Sequence, residues 1–574
     1  MAEHDLIIRG GTVVDGTGAP ARTADVAVRD GIVTAVGSVD GSATREIDAD
    51  GALVAPGFVD IHTHYDGQAT WDSRMQPSSW HGVTTVVFGN CGVGFAPVHS
   101  SDHDKLVELM EGVEDIPGAA LHEGLSWQWN SFAEYIDACD TPKDMDIATQ
   151  VPHGALRLHV MGERGANRED ATADDIAAMG RLAAEGIAAG ALGFSTSRTA
   201  NHKTSTGDFT PTLTAAAEEL VGIAAAVGAG GTGVFQLVSD FTDREREFRM
   251  FRDMCEVSGR PLSFTIVQSP KSDEFHRDLL RRIEEARADG FMITGQCPVR
   301  PIGILLGFEC TLNPFMRNPV WAEVAGLAPA ERAAALGDPD RRARLLAAAG
   351  GVDRSLVGGG LVEKFEVMYE MGETPYYEPA ADQTVARRAA AAGVSPAEFA
   401  LDLLLKDGGT NMLWLPFSNY GHGNLDGTRD LLTHPFTVPS LSDGGAHVGT
   451  ICDGSFPTTL LQHWGRERPE GRIDLEFLVQ RQARDTARTV GLLDRGVLAP
   501  GYRADLNVID FAHLTARAPE LAYDLPAGGR RVLQRADGYL HTVVAGVETY
   551  ASGEETGALP GRLIRGAQPA PAGV

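Results

Sequence analysis

Between residues 58 and 297, short β-branched runs alternate with Ala-rich stretches of helical period. VTTVVFGN, LRLHVM and ALGFSTS come in turn, the last behind TADDIAAMGRLAAEGIAAG. AAAEELVGIAAAVG then precedes GTGVFQLVS, FRMFRDMCEVSG precedes PLSFTIVQS, and HRDLLRRIEEARADG precedes FMITGQC. Strand, helix and strand, repeated, predict a parallel sheet covered by helices. Eight such strands closing on themselves make a (β/α)8 TIM barrel, so the expected fold class is α/β. A decorated barrel absorbs most of a 574-residue chain.

Both ends depart from this rhythm. Residues 5 to 55 (DLIIRGGTVVDG, ADVAVRDGIVTAVG, GALVAPG) alternate β-rich runs with Gly-containing turns and read as a small antiparallel sheet. RGVLAPGYRADLNVIDF and YLHTVVAGVETYASG are β-rich again, and GAQPAPAGV reads as a frayed tail. Residues 305 to 410 interrupt the alternation with PAERAAALGDPDRRARLLAAAG and the acidic, aromatic VEKFEVMYEMGETPYYEP. Such a segment is expected as an insertion at the barrel mouth, where loop elaboration carries specificity. Strand signals return in NMLWLPF and TVPSLSDGG.

A formal charge of -29 argues against a nucleic-acid or anionic-membrane partner, which would call for clustered Lys and Arg. The start MAEHDLIIRG shows no basic and apolar leader, and no apolar run is long enough to span a bilayer, so a cytoplasmic enzyme acting on a small molecule is the expectation. The six cysteines form no CxxC pair and read as free thiols rather than as a disulfide framework. A homo-oligomer is compatible with all of this.

The chemistry gathers at strand ends. In FVDIHTHYD, His62 and His64 lie two apart at the end of an apolar strand, so both imidazoles project from one face and read as a metal-ligand pair. Taken alone, the pair also fits two surface histidines in a loop. In SLSDGGAHVGT, Asp443 ends a β-rich run, and Gly444 and Gly445 let the chain turn away, leaving the carboxylate at the cavity. A helix N-cap is the other reading of that aspartate. Neither a G-x-S-x-G elbow nor a P-loop is present, which disfavours serine-hydrolase and nucleotide-dependent chemistry.

Taken together, GGTVVDGTG, VAPGFVDIHTHYDGQATWD, HGVTTVVFGNCGVGFAPV, VPHGALRLHVMG, GALGFSTSR, SDGGAHVGT, GLLDRGVLAPGYRADLNVID and TGALPGRLIRG resemble the amidohydrolase superfamily. Within it, the resemblance is to the D-aminoacylase group of N-acyl-D-amino-acid deacylases. It implies a TIM barrel over residues 57–490 carrying the 305–410 insertion, a β-sandwich built from 1–56 and 491–565, a flexible tail over 566–574, and zinc at the barrel mouth. His62 and His64 fall on the family's HxH, Asp443 on its strand-eight aspartate, and Cys91 on its metal-bridging cysteine. A thiolate is a good zinc ligand.

The resemblance also shows a departure. Where the family places metal-binding histidines at the ends of strands five and six, this chain has Gln236 and Gln268, and amides are poor zinc ligands. One zinc ion rather than two is therefore expected, with both glutamines reassigned to substrate binding or to filling space. The family's basic residue after the strand-six histidine has no direct match, because Pro270 intervenes before Lys271. Ser195, Thr196 and Ser197 end strand four in a loop that the resemblance brings to the substrate, and His447, four residues after Asp443, is a further mouth residue. His153 and His159 fall in the strand-three region, in structural or substrate-facing positions.

The implied reaction is metal-dependent cleavage of a non-peptide amide bond by activated water, with Asp443 as the general acid/base. The same metal site acting on a cyclic amide, a lactone or a C–C bond next to a carbonyl is the alternative. An inactive barrel used for binding is a third reading.

Overall fold

Eight strands pair in sequence order, each parallel to the next: Phe58–Asp60, Val83–Phe88, Asp146–Pro152, Gly193–Arg198, Val234–Ser239, Leu262–Thr265, Ile293–Cys297 and Thr437–Pro439. The first and last are joined just beyond their ends: Asp443 N–H donates to His62 O (3.2 Å) and His64 N–H to Gly444 O (2.8 Å). The sheet thus curls back on itself as the alternation predicts. These contacts come from a computed structural model describing residues 2–269, 272–348, 350–354, 356 and 358–572; Pro270 and Lys271 lie outside the described residues.

Helices between the strands bury one face each. Ala173–Ala189 starts at a capping box in which Thr172 and Asp175 satisfy each other's backbone N–H groups, and it packs Met179, Ala183 and Ile187 inward. Arg244–Ser258 starts at Asp243, whose carboxylate accepts from Arg246 N–H, and buries Phe248, Phe251 and Met254.

A nine-stranded sheet draws on both ends of the chain. Leu53–Pro56 runs antiparallel to Leu506–Ile509, which pairs onward with Tyr539–Val544, while His4–Val13 and Arg22–Arg29 extend the other side. Beneath the barrel, Asp146, the first residue of the third strand, accepts from Arg495 Nη1 (2.8 Å) and lies 2.8 Å from Arg503 Nε, all three buried. This buried pairing ties the barrel to the C-terminal β-rich region, at the face where TIM barrels carry stability rather than chemistry.

The structure departs from the sequence reading at three places. LRLHVM forms no strand: it lies in the helix His153–Met161, directly behind the third strand Asp146–Pro152. NMLWLPF does form a strand, Met412–Pro416, but it pairs antiparallel with Gly303–Leu306 and Tyr369–Met371 in a separate three-stranded sheet with its own hydrophobic cluster. An apolar run reports burial without saying which sheet takes it. The tail is not free at its start: Leu493 N–H donates to Gln568 O (2.9 Å) and Gln568 N–H to Gly491 O (3.0 Å). Among the described residues no helix is long and apolar enough to cross a membrane.

Candidate metal centre and active site

The C-terminal ends of the strands deliver the donors. His62 and His64 follow the first strand, and Cys91 follows the second in the turn GNCG. Asp443 follows the eighth, on the segment whose backbone closes the barrel. One donor atom each from His62, His64 and Cys91 lie within 4.8 Å of one another, all buried. His62 Nε2 is 3.3 Å from Cys91 Sγ. Asp443 Oδ1 stands 3.6 Å from His62 Nε2 and 3.7 Å from His64 Nε2.

This geometry needs unusual backbone. Cys91, Asp443 and His447 all adopt left-handed conformations, with φ of 55°, 47° and 49°. Each costs on the order of 1–3 kcal/mol and persists only where its surroundings enforce it. Gly92 (φ 66°) lies so close to the fourth strand that a Cβ would come within 2.9 Å of Thr196 Cα, and a Cβ at Gly445 (φ 88°) would come within 2.9 Å of His64 O. Glycine at these two places lets the turns bearing Cys91 and Asp443 pack against the strand ends.

Burial sets the protonation. It lowers His62 to about 4, the nearby Asp443 charge opposing the shift, and lowers His64 to about 3. Both imidazoles are neutral and present lone pairs. Gln296 Oε1 lies 2.8 Å from His62 Nδ1; an amide oxygen only accepts, so the ring proton sits on Nδ1 and the Nε2 lone pair faces Cys91 and Asp443. Burial raises the Cys91 thiol and, against the pull of His62 and His447, the Asp443 carboxyl. Asp443 Oδ1 has no hydrogen-bond partner. Soft sulfur, two imidazoles and an unpartnered carboxylate oxygen in one buried pocket fit a divalent metal ion, which would stabilise the deprotonated forms that burial disfavours.

The remaining residues singled out from sequence divide. Gln236 Oε1 accepts from Cys91 N–H (2.9 Å), and its buried Nε2 has no partner. Gln268 is tied to the loop after Pro416: its N–H donates to Asn419 Oδ1 (2.6 Å), and its Oε1 accepts from Gly421 N–H (3.4 Å). That loop borders a cavity of about 820 Å³ whose other wall includes Lys364, Tyr369 and Arg387. Ser195, fully buried, accepts from Gly92 N–H (3.0 Å) and donates to Gly89 O, so its hydroxyl braces the Cys91 turn. His153 is held between Thr196 Oγ1 and Glu219 Oε1, at 2.8 Å from each, as a structural residue.

Two residues of the pocket escape sequence reasoning. Glu114, the last residue of helix His103–Glu114, is buried with Oε1 3.1 Å from His64 Nδ1. His202, beyond the fourth strand, is held by Ser197 Oγ (2.9 Å), and burial lowers it to about 3, with His447, His64 and His62 adding to the shift. Neither sits in a motif; only packing brings them to the pocket.

Residues 45–550 match the family model described as the amidohydrolase family. The chain belongs to the amidohydrolase family. Among amidohydrolase relatives, D-aminoacylase of Alcaligenes xylosoxydans xylosoxydans is 39% identical over 194 residues, 33% of this chain and 37% of that one. N-acyl-D-aspartate deacylase of the same organism is 27% identical over 576 residues, 98% of this chain and 95% of that one. A solved D-aminoacylase structure, from work on its binuclear metal centre with one-metal activation and second-metal attenuation, superposes at a TM-score of 0.64 and 25% identity, covering 98% of this chain and 100% of that one.

Proposed function

We propose that this amidohydrolase cleaves the amide bond of an N-acyl-D-amino acid or a related N-acyl compound, using one zinc ion held by His62, His64, Cys91 and Asp443. The observation that carries this reading is the donor set itself, one thiol, two neutral imidazoles and a carboxylate converging at the barrel mouth. Sulfur and imidazole nitrogen suit zinc, and the amides of Gln236 and Gln268 offer it little. The D-aminoacylase and N-acyl-D-aspartate deacylase relatives supply the substrate class.

When bound, the ion supplies a Lewis acid that polarises a carbonyl and brings the pKa of water down to about 7. Asp443 takes the proton of the attacking water and passes it to the leaving nitrogen, a role worth roughly 10²–10⁴ in rate. His62 and His64 are neutral at working pH and do not release protons into that exchange. Gln236 Nε2 is the donor left over for substrate, and His447 and the Ser197–His202 pair line the mouth on its other sides. Six buried, unpaired cysteines suit the reducing cytoplasm.

A panel of N-acetyl-D- and N-acetyl-L-amino acids, with free amino acid measured chromatographically, tests the reaction. Release from the D series that stops on chelation is expected. Turnover of cyclic amides or lactones with none of the linear amides would move the assignment to ring opening at the same site.

A further inference from the structure

Glu114 is chemically out of place where it stands. It is 1% exposed, and neither of its carboxyl oxygens has a hydrogen-bond partner. It is also the last residue of a twelve-residue helix, whose C-terminal end carries partial negative charge and disfavours an acid. Leaving such a group without hydrogen bonds is unfavourable even when it is neutral, and more so when it is charged. A salt-bridging Lys or Arg would relieve this, but the groups around it are two imidazoles, His64 Nδ1 at 3.1 Å from Oε1 and His447 Nε2 at 3.7 Å from Oε2, with the acids Asp443 and Asp66 and the Cys91 thiol nearby.

His447 Nε2 in turn lies 3.9 Å from Asp443 Oδ2, while Asp443 Oδ1 faces His62 and His64. The aspartate therefore turns one oxygen to the thiol-bearing pocket and the other to His447 and Glu114. Two neighbouring gaps of 3.7 and 3.9 Å between oxygen and imidazole nitrogen suit donors that share one cation at about 2.0–2.2 Å from each. We propose that Glu114, His447 and Asp443 Oδ2 form a second divalent-cation position beside the first, with Asp443 bridging the two. This chain would thereby recover on a helix end and on the loop after the eighth strand what Gln236 and Gln268 cannot provide on strands five and six. With nitrogen and oxygen donors only, the second position is the weaker of the two for zinc and open to harder divalent ions. The inference rests on the proposed first site, through the shared Asp443.

Titration of metal-free protein with Co²⁺ separates the positions, because only the first has a sulfur ligand and a thiolate-to-cobalt band in the near ultraviolet. Wild type is expected to take up two Co²⁺ per chain, with the thiolate band complete at one. Glu114→Gln should take up one, thiolate band intact, and His447→Asn should do the same, so a folding failure in either variant leaves the other to decide. Cys91→Ser should lose the band and keep the second ion. A wild type saturating at one Co²⁺, or a folded Glu114→Gln still binding two, would overturn the proposal. Wild type without a thiolate band, binding one ion that Glu114→Gln removes, would instead overturn the assigned first site and support this one.

Discussion

Gln296 Oε1 sits 2.8 Å from His62 Nδ1, while its own Nε2 donates to Ser263 Oγ at 2.9 Å. The amide is thereby fixed with its oxygen toward the histidine and dictates which nitrogen of His62 stays free for a metal. Replacing it with leucine removes that control and leaves Nδ1 unpartnered. Gln296→Leu is expected to lose about 10–100-fold in metal affinity, read by competition against a chromogenic chelator. Unchanged affinity would show that the ring needs no such support.

Asp443→Asn keeps the size of the side chain and removes its ability to move a proton. The expected loss in kcat is about 10²–10⁴-fold, with the fold kept by circular dichroism. A variant that retained the wild-type rate would exclude Asp443 as the general acid/base.

Metal uptake should release protons. Burial raises the pKa of Cys91, Asp443 and Glu114 in the metal-free protein, and each must be deprotonated to ligate. Affinity is therefore expected to rise with pH, and calorimetry in buffers of different ionisation enthalpy should report net proton release. Uptake independent of pH would contradict the assigned donors.

His62, His64 and Asp443 stand out in the sequence as candidate donors because each lies in a short motif where a strand ends, and strand ends are where barrel chemistry sits, whereas Cys91 comes from the family resemblance alone. Glu114 comes from neither. In LMEGVED it reads as one more solvated acid at the end of an amphipathic helix, and only the packing of that helix over the mouth buries it. His202 likewise depends on a loop whose path no local pattern describes. The run NMLWLPF announced a strand correctly but not its partners, since hydrophobicity alone cannot choose between two sheets. Residues 566–568 looked frayed by composition, yet two backbone hydrogen bonds at Gln568 hold them to Gly491 and Leu493.

Below the barrel, Asp146 is the common acceptor for two buried arginines. Asp146→Ala takes a carboxylate from both but leaves Arg495 paired with Asp494 (2.9 Å) and Arg503 with Asp505 (3.3 Å), so the cost falls below the roughly 3–5 kcal/mol of orphaning a buried charge. A fall in thermal midpoint is expected, with metal stoichiometry in the folded protein unchanged. Loss of metal without loss of stability would mean that this face is coupled to the mouth.

Glu378 clamps the stretch before Met412–Pro416 to the barrel, with Oε2 3.0 Å from both His463 Nε2 and Arg468 Nε. Burial alone would raise its pKa, but these partners win and hold it at about 2 against an ordinary 4.5. Because the folded value is depressed, the stabilisation is complete above about 4.5 and drains away as pH falls toward 2. Glu378→Gln should speed amide exchange around 369–416 at neutral pH and flatten the acid dependence there. An exchange pattern identical to wild type would remove the clamp from the account.

An ion on His62, His64, Cys91 and Asp443 is expected to drive amide hydrolysis. The most direct test is the rate of amino-acid release from an N-acetyl-D-amino acid as metal-free protein receives zinc in steps. Activity is expected to appear with the first equivalent bound, and to be absent in Cys91→Ala and His62→Asn at the same zinc level. Full zinc occupancy with no release from any N-acyl substrate, or release undiminished by chelation, would contradict it.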